Sequence, residues 1–211
     1  MELLQALNWR YAVKSFDATK KVPEDVFAQI MEATRLAPSS FGLELWKFVV
    51  VENSELRAKV REVSWNQAQV TDASHLVVLC RQADVTPADV EAFIARTATT
   101  RGLTDVSVLD GYKQMILGTV NALDASSKAS WMGKQVYLAL GFMIAEASEL
   151  GVDTCPMEGF DSAKVDAILG LEAMGLKSVV LCPVGYRSAE DKYAELAKVR
   201  RSKEEVLVRL A

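Results

Sequence analysis

The sequence predicts an α+β fold in which one sheet is wrapped by many helices. Three short runs rich in β-branched and aromatic residues predict strands at 46–52, 75–81 and 178–185. The longer segments between them carry apolar residues at helical spacing. The chain has no internal repeat, no low-complexity segment and no linker rich in Pro, Gly or Ser. Residues 1–211 are therefore expected to form a single domain.

Signals at their ends define the predicted helices. A helix ends near Arg10, Pro23 opens a second one that stops before Pro38, and Thr86 with Pro87 opens another with a hydroxyl-x-x-acid pattern. Further helices are expected over 54–65, 106–123, 128–150 and 161–169, the last two closed by Gly151 and Gly170. The alternating residues 206–210 predict a fourth strand.

The composition excludes several classes of protein. The chain is 50% hydrophobic and 25% charged with a net charge of −4, which is typical of a globular protein and argues against a nucleic-acid-binding face. The longest apolar run, residues 136–145, is half of the roughly 20 residues that span a bilayer, so it predicts a buried core helix and no membrane association. The N-terminus lacks the pattern of a signal peptide, and a cytoplasmic location is expected.

The cysteines and the histidine limit the chemistry of the side chains. Cys80, Cys155 and Cys182 are widely spaced, odd in number and without a CxxC pair, so neither a disulfide framework nor a metal site is expected. His75 is the one histidine, and its place at the start of a predicted buried strand favours a structural role. If the protein is an enzyme, its chemistry belongs to something that it binds.

Four segments remain as candidates for function, since the chain has no GxGxxG after a strand and no GxxxxGK[ST]. They are RYAVK at 10–14, APSS at 37–40, CPMEGFD at 155–161 and KVRR at 198–201. Taken singly, each has an ordinary interpretation as a helix end, a helix stop, a turn or a solvated basic patch.

Taken together, the segments resemble the nitroreductase family. The patterns R-x-x-x-K-S-F-D, A-P-S-S, D-A-S-H-L-V-V, W-M-x-K-Q-V-Y, P-M-E-G-F-D and P-V-G…K-x-R follow one another along nearly the whole chain. The sequence is similar to oxygen-insensitive NAD(P)H nitroreductases and NAD(P)H-dependent flavin oxidoreductases. The resemblance implies a helix-wrapped, mostly antiparallel sheet in an intertwined homodimer, with FMN at the subunit interface.

The resemblance also implies which residues bind FMN. Arg10, Lys198 and Arg200 would hold the phosphate, Lys14 would lie near the ribityl chain and the pyrimidine edge, and Asn66 would bond that edge. The other implied cofactor-binding residues are Tyr11, Ala12, Pro38, Ser39, Ser40, Gln69, Pro156, Met157, Glu158 and Gly159. Residues 38–40 would come from the partner subunit, and the N–H groups of 157–159 would face N5 and O4 of the flavin.

The implied activity is that of an NAD(P)H-dependent FMN oxidoreductase. Two electrons would pass through flavin N5 by a ping-pong mechanism, from NADH or NADPH to a nitroaromatic, a quinone or a similar small acceptor. No catalytic side chain is implied, because the cofactor carries the chemistry, and Lys14 and Glu158 are the nearest candidates for tuning it. The alternatives are an enone or flavin reductase, a flavin destructase or dehalogenase, and a non-catalytic FMN-binding or redox-sensing protein.

Two departures from the family pattern are present. Many members follow the serines with a polar residue and then Q-P-W, whereas this chain has Leu43, Glu44 and Leu45. Several members also carry a lysine three residues after the position of Asn66, where this chain has Gln69. Both changes are expected to make the site less positive.

Overall fold

The computed structural model describes residues 1–210 and has the predicted α+β architecture. Its helices are α1 Leu3–Trp9, α2 Glu24–Arg35, α3 Ser54–Glu62, α4 Gln69–Asp72, α5 Pro87–Thr100, α6 Asp110–Asn121, α7 Ala125–Glu149, α8 Ser162–Leu169 and α9 Lys203–Val206. Its strands are β1 Trp46–Val50, β2 His75–Gln82, β3 Asp153–Thr154 and β4 Leu176–Gly185. Short 3₁₀ turns occupy Ser40–Gly42, Val106–Leu109 and Leu171–Met174.

The four strands form one antiparallel sheet in the order β1-β2-β4-β3. The described sheet is antiparallel, as the resemblance implies, and β2 and β4 are its central strands, with helices packed on both faces. On β2, Val77 and Leu79 pack with α2 and α7, whereas Leu76, Val78 and Cys80 pack with α3 and α8. All five are fully buried, and each aliphatic side chain contributes about 1.5–3 kcal/mol when it leaves water.

Helix α7 is buried on one face only. Val136, Ala139 and Met143 are fully buried against the sheet, but Leu138 and Phe142 on the other face are 44% and 41% exposed. The sequence predicted that residues 136–145 are buried on every side of their helix. In the single chain only one face of α7 is buried, because the sheet lies on one side of the helix. Among residues 1–210, no helix is both long and apolar enough to cross a membrane.

Local hydrogen bonds set several element ends that differ from the prediction. The Asp124 carboxylate accepts from the N–H of Ser127 at 2.7 Å, so α7 starts earlier than predicted. Helix α3 ends early, before Trp65 and Asn66, whose φ angles of 52° and 55° leave the helical region. The segment predicted as one helix over 106–123 divides into a 3₁₀ turn and α6.

The predicted strand at 206–210 is wrong, and the fourth strand is β3. Ser202 and Glu205 form a capping box that starts α9, and residues 207–210 are exposed with no strand beside them in the described chain. Alternation alone cannot make a strand without a neighbour that supplies hydrogen bonds.

Candidate functional site

The two ends of the chain meet around one cavity of about 440 Å³. Arg10, with its neighbours at the end of α1, forms one side, and the C-terminal segment with Lys198 and Arg200 forms the other. We call this cavity the basic pocket. Its complete lining is Asn8, Trp9, Arg10, Tyr11, Ala12, Tyr193, Ala194, Leu196, Ala197, Lys198 and Arg200, with no acidic residue among them. The structure thus brings together the three cations that the sequence predicted to hold a phosphate.

The charges of the basic pocket are not balanced by the protein. Burial, and then the charge of Arg200, lower the pKa of Arg10. Burial, Arg10 and Arg200 likewise lower the pKa of Lys198, whose ammonium donates a hydrogen bond to the carbonyl of Arg10. The buried Nε of Arg10 has no hydrogen-bonding partner within residues 1–210. An unpartnered buried donor is costly, and an anion with several acceptor oxygens would satisfy it, so these residues fit a phosphate group.

A buried ion pair holds both neighbours of Arg10. The guanidinium of Arg187 lies 2.6 Å from the carboxylate of Asp153, which is 3% exposed. The same guanidinium lies over the ring of Trp9 at 4.1 Å and over that of Tyr11 at 4.6 Å. Because both rings rest on one fixed cation, the chain is held in place on either side of Arg10. This ion pair was not predicted, because no local pattern in the sequence indicates it.

Asp191 ties the segment at 10–17 to the C-terminal part of the chain. One carboxylate oxygen accepts from the N–H groups of Lys14 at 2.8 Å and Ser15 at 3.0 Å, and the other accepts from Tyr193 at 2.9 Å. Burial raises the pKa of Asp191, but these hydrogen bonds outweigh it and hold the pKa below its ordinary value. Burial and the charge of Asp191 raise the pKa of Tyr11 to about 12. Asp191 was also missed, since its partners are backbone groups far away in the sequence.

Lys14 and Gln69 both act on the thiol of Cys155. The Nζ of Lys14 lies 3.9 Å from the Sγ of Cys155, which is fully buried. Burial raises the pKa of the Cys155 thiol, whereas the Lys14 charge and the Gln69 side chain lower it. Gln69 is itself only 6% exposed. A change at position 69 therefore acts on the surroundings of Lys14.

The segment that contains Pro156, Met157, Glu158 and Gly159 runs beside β4. The N–H of Met157 donates to Leu181 at 2.8 Å, so it is not free for the flavin contact that was expected of it. No hydrogen bond within the described residues uses the N–H groups of Glu158 and Gly159, and these two remain able to serve a ligand. Pairing with the adjacent strand is the physical reason for the difference.

The turn that holds Asn66 packs on the same segment. A Cβ on Gly159 would lie 2.4 Å from the ring of Trp65, so a side chain at this position would require the ring to move. Gln67 donates to the carbonyl of Gly159 at 3.0 Å, and Trp65 is 78% exposed. Asn66 is exposed, and its side-chain oxygen accepts from Arg61 at 3.1 Å. The turn that holds Asn66 and the segment 157–159 thus form one surface.

Helix α7 contacts this surface through Tyr137. The hydroxyl of Tyr137 donates a hydrogen bond to the carboxylate of Glu158. Burial and that bond raise the pKa of Tyr137 to about 12. The contact fixes the side chain of Glu158. Tyr137 was not predicted as a site residue, although it ends the K-Q-V-Y pattern.

Residues 38–40 do not line the basic pocket of their own chain. The N–H of Ser40 donates to the amide oxygen of Gln135 on α7 at 2.8 Å, and the hydroxyl of Ser39 accepts from the N–H of Glu44 at 3.0 Å. Pro38 is exposed. Gln135 was missed as the residue that anchors this loop. The structure of one chain leaves the expected contribution of these residues to a second subunit as a prediction.

The departures at 43–45 have a structural explanation. Leu43 and Leu45 are 5% and 2% exposed and belong to an apolar cluster with α5 and α6, so Leu43 is a core residue. The carboxylate of Glu44 lies 3.1 Å from Arg96, so its charge is compensated. Glu44 therefore lowers the positive charge of the site less than the sequence alone predicted, because Arg96 balances its carboxylate.

His75 has the surroundings of a structural residue. Its ring stacks on that of Phe27 with centroids 3.8 Å apart and planes 4° from parallel. Burial lowers the pKa of His75, which keeps it neutral at physiological pH.

Known proteins resemble this chain over nearly its whole length. The family model described as the nitroreductase family matches residues 7–186, which leaves Lys198 and Arg200 outside the match. YfkO of Bacillus subtilis, an NAD(P)H nitroreductase by name, is 37% identical over 217 residues, covering 98% of this chain and 96% of YfkO. The oxygen-insensitive NAD(P)H nitroreductase of Enterobacter cloacae is 31% identical over 207 residues, covering 95% of each chain.

Solved structures share the fold. The nitroreductase-type protein YdfN of Bacillus subtilis superposes with a TM-score of 0.86 at 20% identity and 99% coverage of both chains. A protein from Exiguobacterium sibiricum, crystallised in complex with FMN, superposes with a TM-score of 0.84 at 22% identity, covering 100% of this chain and 98% of that one. The match of the family model and the full-length relatives establish that this chain belongs to the nitroreductase family, a family of oxidoreductase enzymes.

Proposed function

We propose that this protein is an FMN-dependent NAD(P)H oxidoreductase that reduces nitroaromatic, quinone or similar small acceptors by a ping-pong mechanism. The observation that carries the proposal is the basic pocket, where Arg10, Lys198 and Arg200 face one cavity without a carboxylate. A terminal phosphate dianion matches that arrangement, and guanidinium groups bind it with paired hydrogen bonds. The named relatives and the FMN-bound neighbour support the same cofactor and donor.

When bound, FMN would supply the hydride chemistry, and the protein would bind and orient it. The basic pocket would hold the phosphate, and Asp191 would keep the backbone in place by accepting one hydrogen bond from the N–H of Lys14 and one from that of Ser15. The free N–H groups of Glu158 and Gly159 would be available to the ring, and Tyr137 would fix the side chain of Glu158.

We also propose that two copies of the chain form the working unit. The exposed apolar face of α7, with Leu138 and Phe142, would be covered by the partner. Residues 38–40 would then complete the site of the other subunit. A cytoplasmic location agrees with three cysteines that are free thiols in the buried interior.

An absorbance spectrum of the purified protein tests the proposal. The protein is expected to be yellow with one FMN per chain, to bleach on anaerobic addition of NADH or NADPH, and to regain its colour when an organic acceptor is added. Comparing the bleaching rates of the two donors identifies the preferred one. Protein without flavin would contradict the assignment. Bound flavin that neither nucleotide reduces would favour the non-catalytic FMN-binding or redox-sensing alternative.

A further inference from the structure

A second cavity, of about 670 Å³, lies where α5, α6 and the loop before β1 meet. We call it the arginine pocket. It shares no lining residue with the basic pocket, and nothing in the proposed binding of FMN occupies it. Two groups of side chains define it: the aromatic rings of Phe41, Phe93 and Tyr112, and the guanidinium groups of Arg35, Arg96 and Arg101.

The aromatic wall of the arginine pocket is held rigidly. The ring of Tyr112 lies 6.1 Å from that of Phe93 and 6.4 Å from that of Phe41, both edge-on. The hydroxyl of Tyr112 donates to the carbonyl of Phe41 at 3.0 Å. A Cβ on Gly42 would lie 3.3 Å from Phe93, so the loop approaches the ring closely. Such a wall offers a preformed surface for another aromatic ring.

The loop also carries backbone strain. Phe41 and Glu44 have φ angles of 58° and 54°, a region that residues with a Cβ seldom occupy. Non-glycine residues in this region persist when their surroundings hold them there, and they concentrate at ligand sites. Here Tyr112 holds one of them, and the ion pair with Arg96 holds the other.

The charge of the arginine pocket is positive in a chain whose net charge is −4. Arg35 is paired with Glu32 through two hydrogen bonds of 2.7 Å, and Arg96 is paired with Glu44 at 3.1 Å. Arg101 forms no ion pair with any residue in the described part of the chain. One guanidinium group therefore faces a cavity with aromatic walls and has no carboxylate of its own.

We propose that the arginine pocket binds a small aromatic anion. The ring of the ligand packs on Phe93 and Tyr112, and its carboxylate or phosphate binds Arg101. A guanidinium suits either group, because it presents two parallel N–H donors. Two kinds of ligand combine an aromatic ring with such an anion: an aromatic carboxylic acid, and the phosphorylated adenosine of a nicotinamide dinucleotide. The experiment below distinguishes them.

Calorimetric titration of the purified protein, with whatever cofactor it retains, tests the proposal. The probes are 4-chlorobenzoate with its uncharged analogue 4-chlorobenzamide, and 2′,5′-ADP with adenosine. At least one anion is expected to bind about tenfold more tightly than its uncharged partner. Binding of the benzoate alone identifies an aromatic acid as the source, and binding of the nucleotide alone identifies the dinucleotide.

Three variants locate the binding. Arg101→Gln is expected to weaken the anion about tenfold and to leave the uncharged analogue unchanged. Lys59→Gln, which removes the same charge from the exposed face of α3, is the matched control and is expected to change neither. Glu44→Gln removes the one carboxylate of the lining and is expected to increase the affinity for the anion. Loss of structure would lower the affinity instead.

The proposal is overturned if neither anion binds, or if Arg101→Gln binds the anions as the parent protein does. A cation at the end of α5 is also favoured by the helix dipole alone. In that case Arg101→Gln would lower the free energy of unfolding without changing affinity. The titration distinguishes the two roles.

Discussion

Arg200 and Arg10 belong to opposite ends of the chain, yet both line the cavity that is proposed to hold one phosphate group. Both face the basic pocket, and the charge of Arg200 lowers the pKa of Arg10. Two like charges at one cavity repel each other, and an anion between them removes the repulsion. In the proposed binding of FMN, the affinity for the cofactor would therefore depend on single cations more than on the apolar lining.

Replacing Arg200 by alanine tests that dependence. We expect Arg200→Ala to weaken FMN about tenfold or more and to leave riboflavin almost unchanged, because riboflavin lacks the phosphate. The measurement is the dissociation constant of each flavin from the quenching of flavin fluorescence. Arg209→Ala, also in the C-terminal segment but outside the basic pocket, serves as the control. Equal losses for the two flavins would refute the phosphate assignment.

Gln69 offers a prediction about the potential of the flavin. Reduction would place negative charge near the pyrimidine edge, and Gln69 and Lys14 both act on the pKa of the Cys155 thiol. We expect Gln69→Lys to raise the two-electron potential by about 30 mV and Lys14→Gln to lower it by about as much. Redox titration against a reference dye measures both. An unchanged potential in Gln69→Lys would show that this position does not face the flavin.

Single residues also show what the sequence can predict. The resemblance to the family grouped Arg10, Lys198 and Arg200 as a predicted phosphate site, and the structure places all three around one cavity. The ion pair of Asp153 with Arg187 escaped prediction. It depends on tertiary contacts of one residue with another 34 positions away, and many chains place a carboxylate and a cation at such distances without pairing them.

At the scale of elements, one side chain joins two segments that have little regular structure. Asp191 is 4% exposed and accepts from three backbone N–H groups in the segments at 14–15 and 193. Backbone N–H groups outside helices and sheets need another hydrogen-bond acceptor, and one carboxylate can accept several such hydrogen bonds. The segment that carries Lys14 therefore derives its position from a residue of the C-terminal segment.

The stability contributed by Asp191 is expected to depend on pH. Its pKa in the folded protein lies below the ordinary value of 3.8, so the contribution is complete above about pH 4 and is lost as the pH falls through the folded pKa. Asp191→Asn is expected to lower the free energy of unfolding by about 2 kcal/mol at pH 7. The gap between parent and variant should narrow below pH 4. Urea titrations from pH 7 to pH 3 measure it, with the exposed Glu62→Gln as control; a gap that stays constant would argue against the carboxylate.

Elements were predicted best where their own residues determine them. Pro87 with its capping box and Gly170 at a φ of 64° act locally, so the start of α5 and the end of α8 were predicted correctly. The strand at 206–210 was mispredicted because pairing needs a neighbour that no local pattern reports. The capping box of Ser202 with Glu205 was the local signal for α9 that outweighed the alternation.

At the scale of the whole molecule, the exposed apolar face of α7 is the main feature that one chain does not account for. Leu138 and Phe142 lie on it, at 44% and 41% exposure, on a helix whose other face is fully buried. Apolar residues in this number on one helix face commonly mark an interface.

Light scattering on a sizing column tests the assembly. The parent protein is expected at about twice the chain mass of 23.2 kDa. Leu138→Asp combined with Phe142→Asp is expected to give the single-chain mass and to release FMN, because a charge in an apolar interface is costly. Ala58→Asp, on the exposed face of α3, should remain a dimer. Monomeric parent protein with its full content of FMN would contradict a site shared between subunits.

The closure of the basic pocket by residues 198 and 200 has a consequence for how the protein is made. During synthesis Arg10 leaves the ribosome first, and the last strand of the sheet, β4, is complete at Gly185. Before residue 198 has been translated, the nascent chain has the residues of its sheet but only Arg10 of the three cations that line the basic pocket. In the proposed binding of FMN, capture of the cofactor would therefore follow translation of the C-terminal segment and would come after the residues of the sheet have been made.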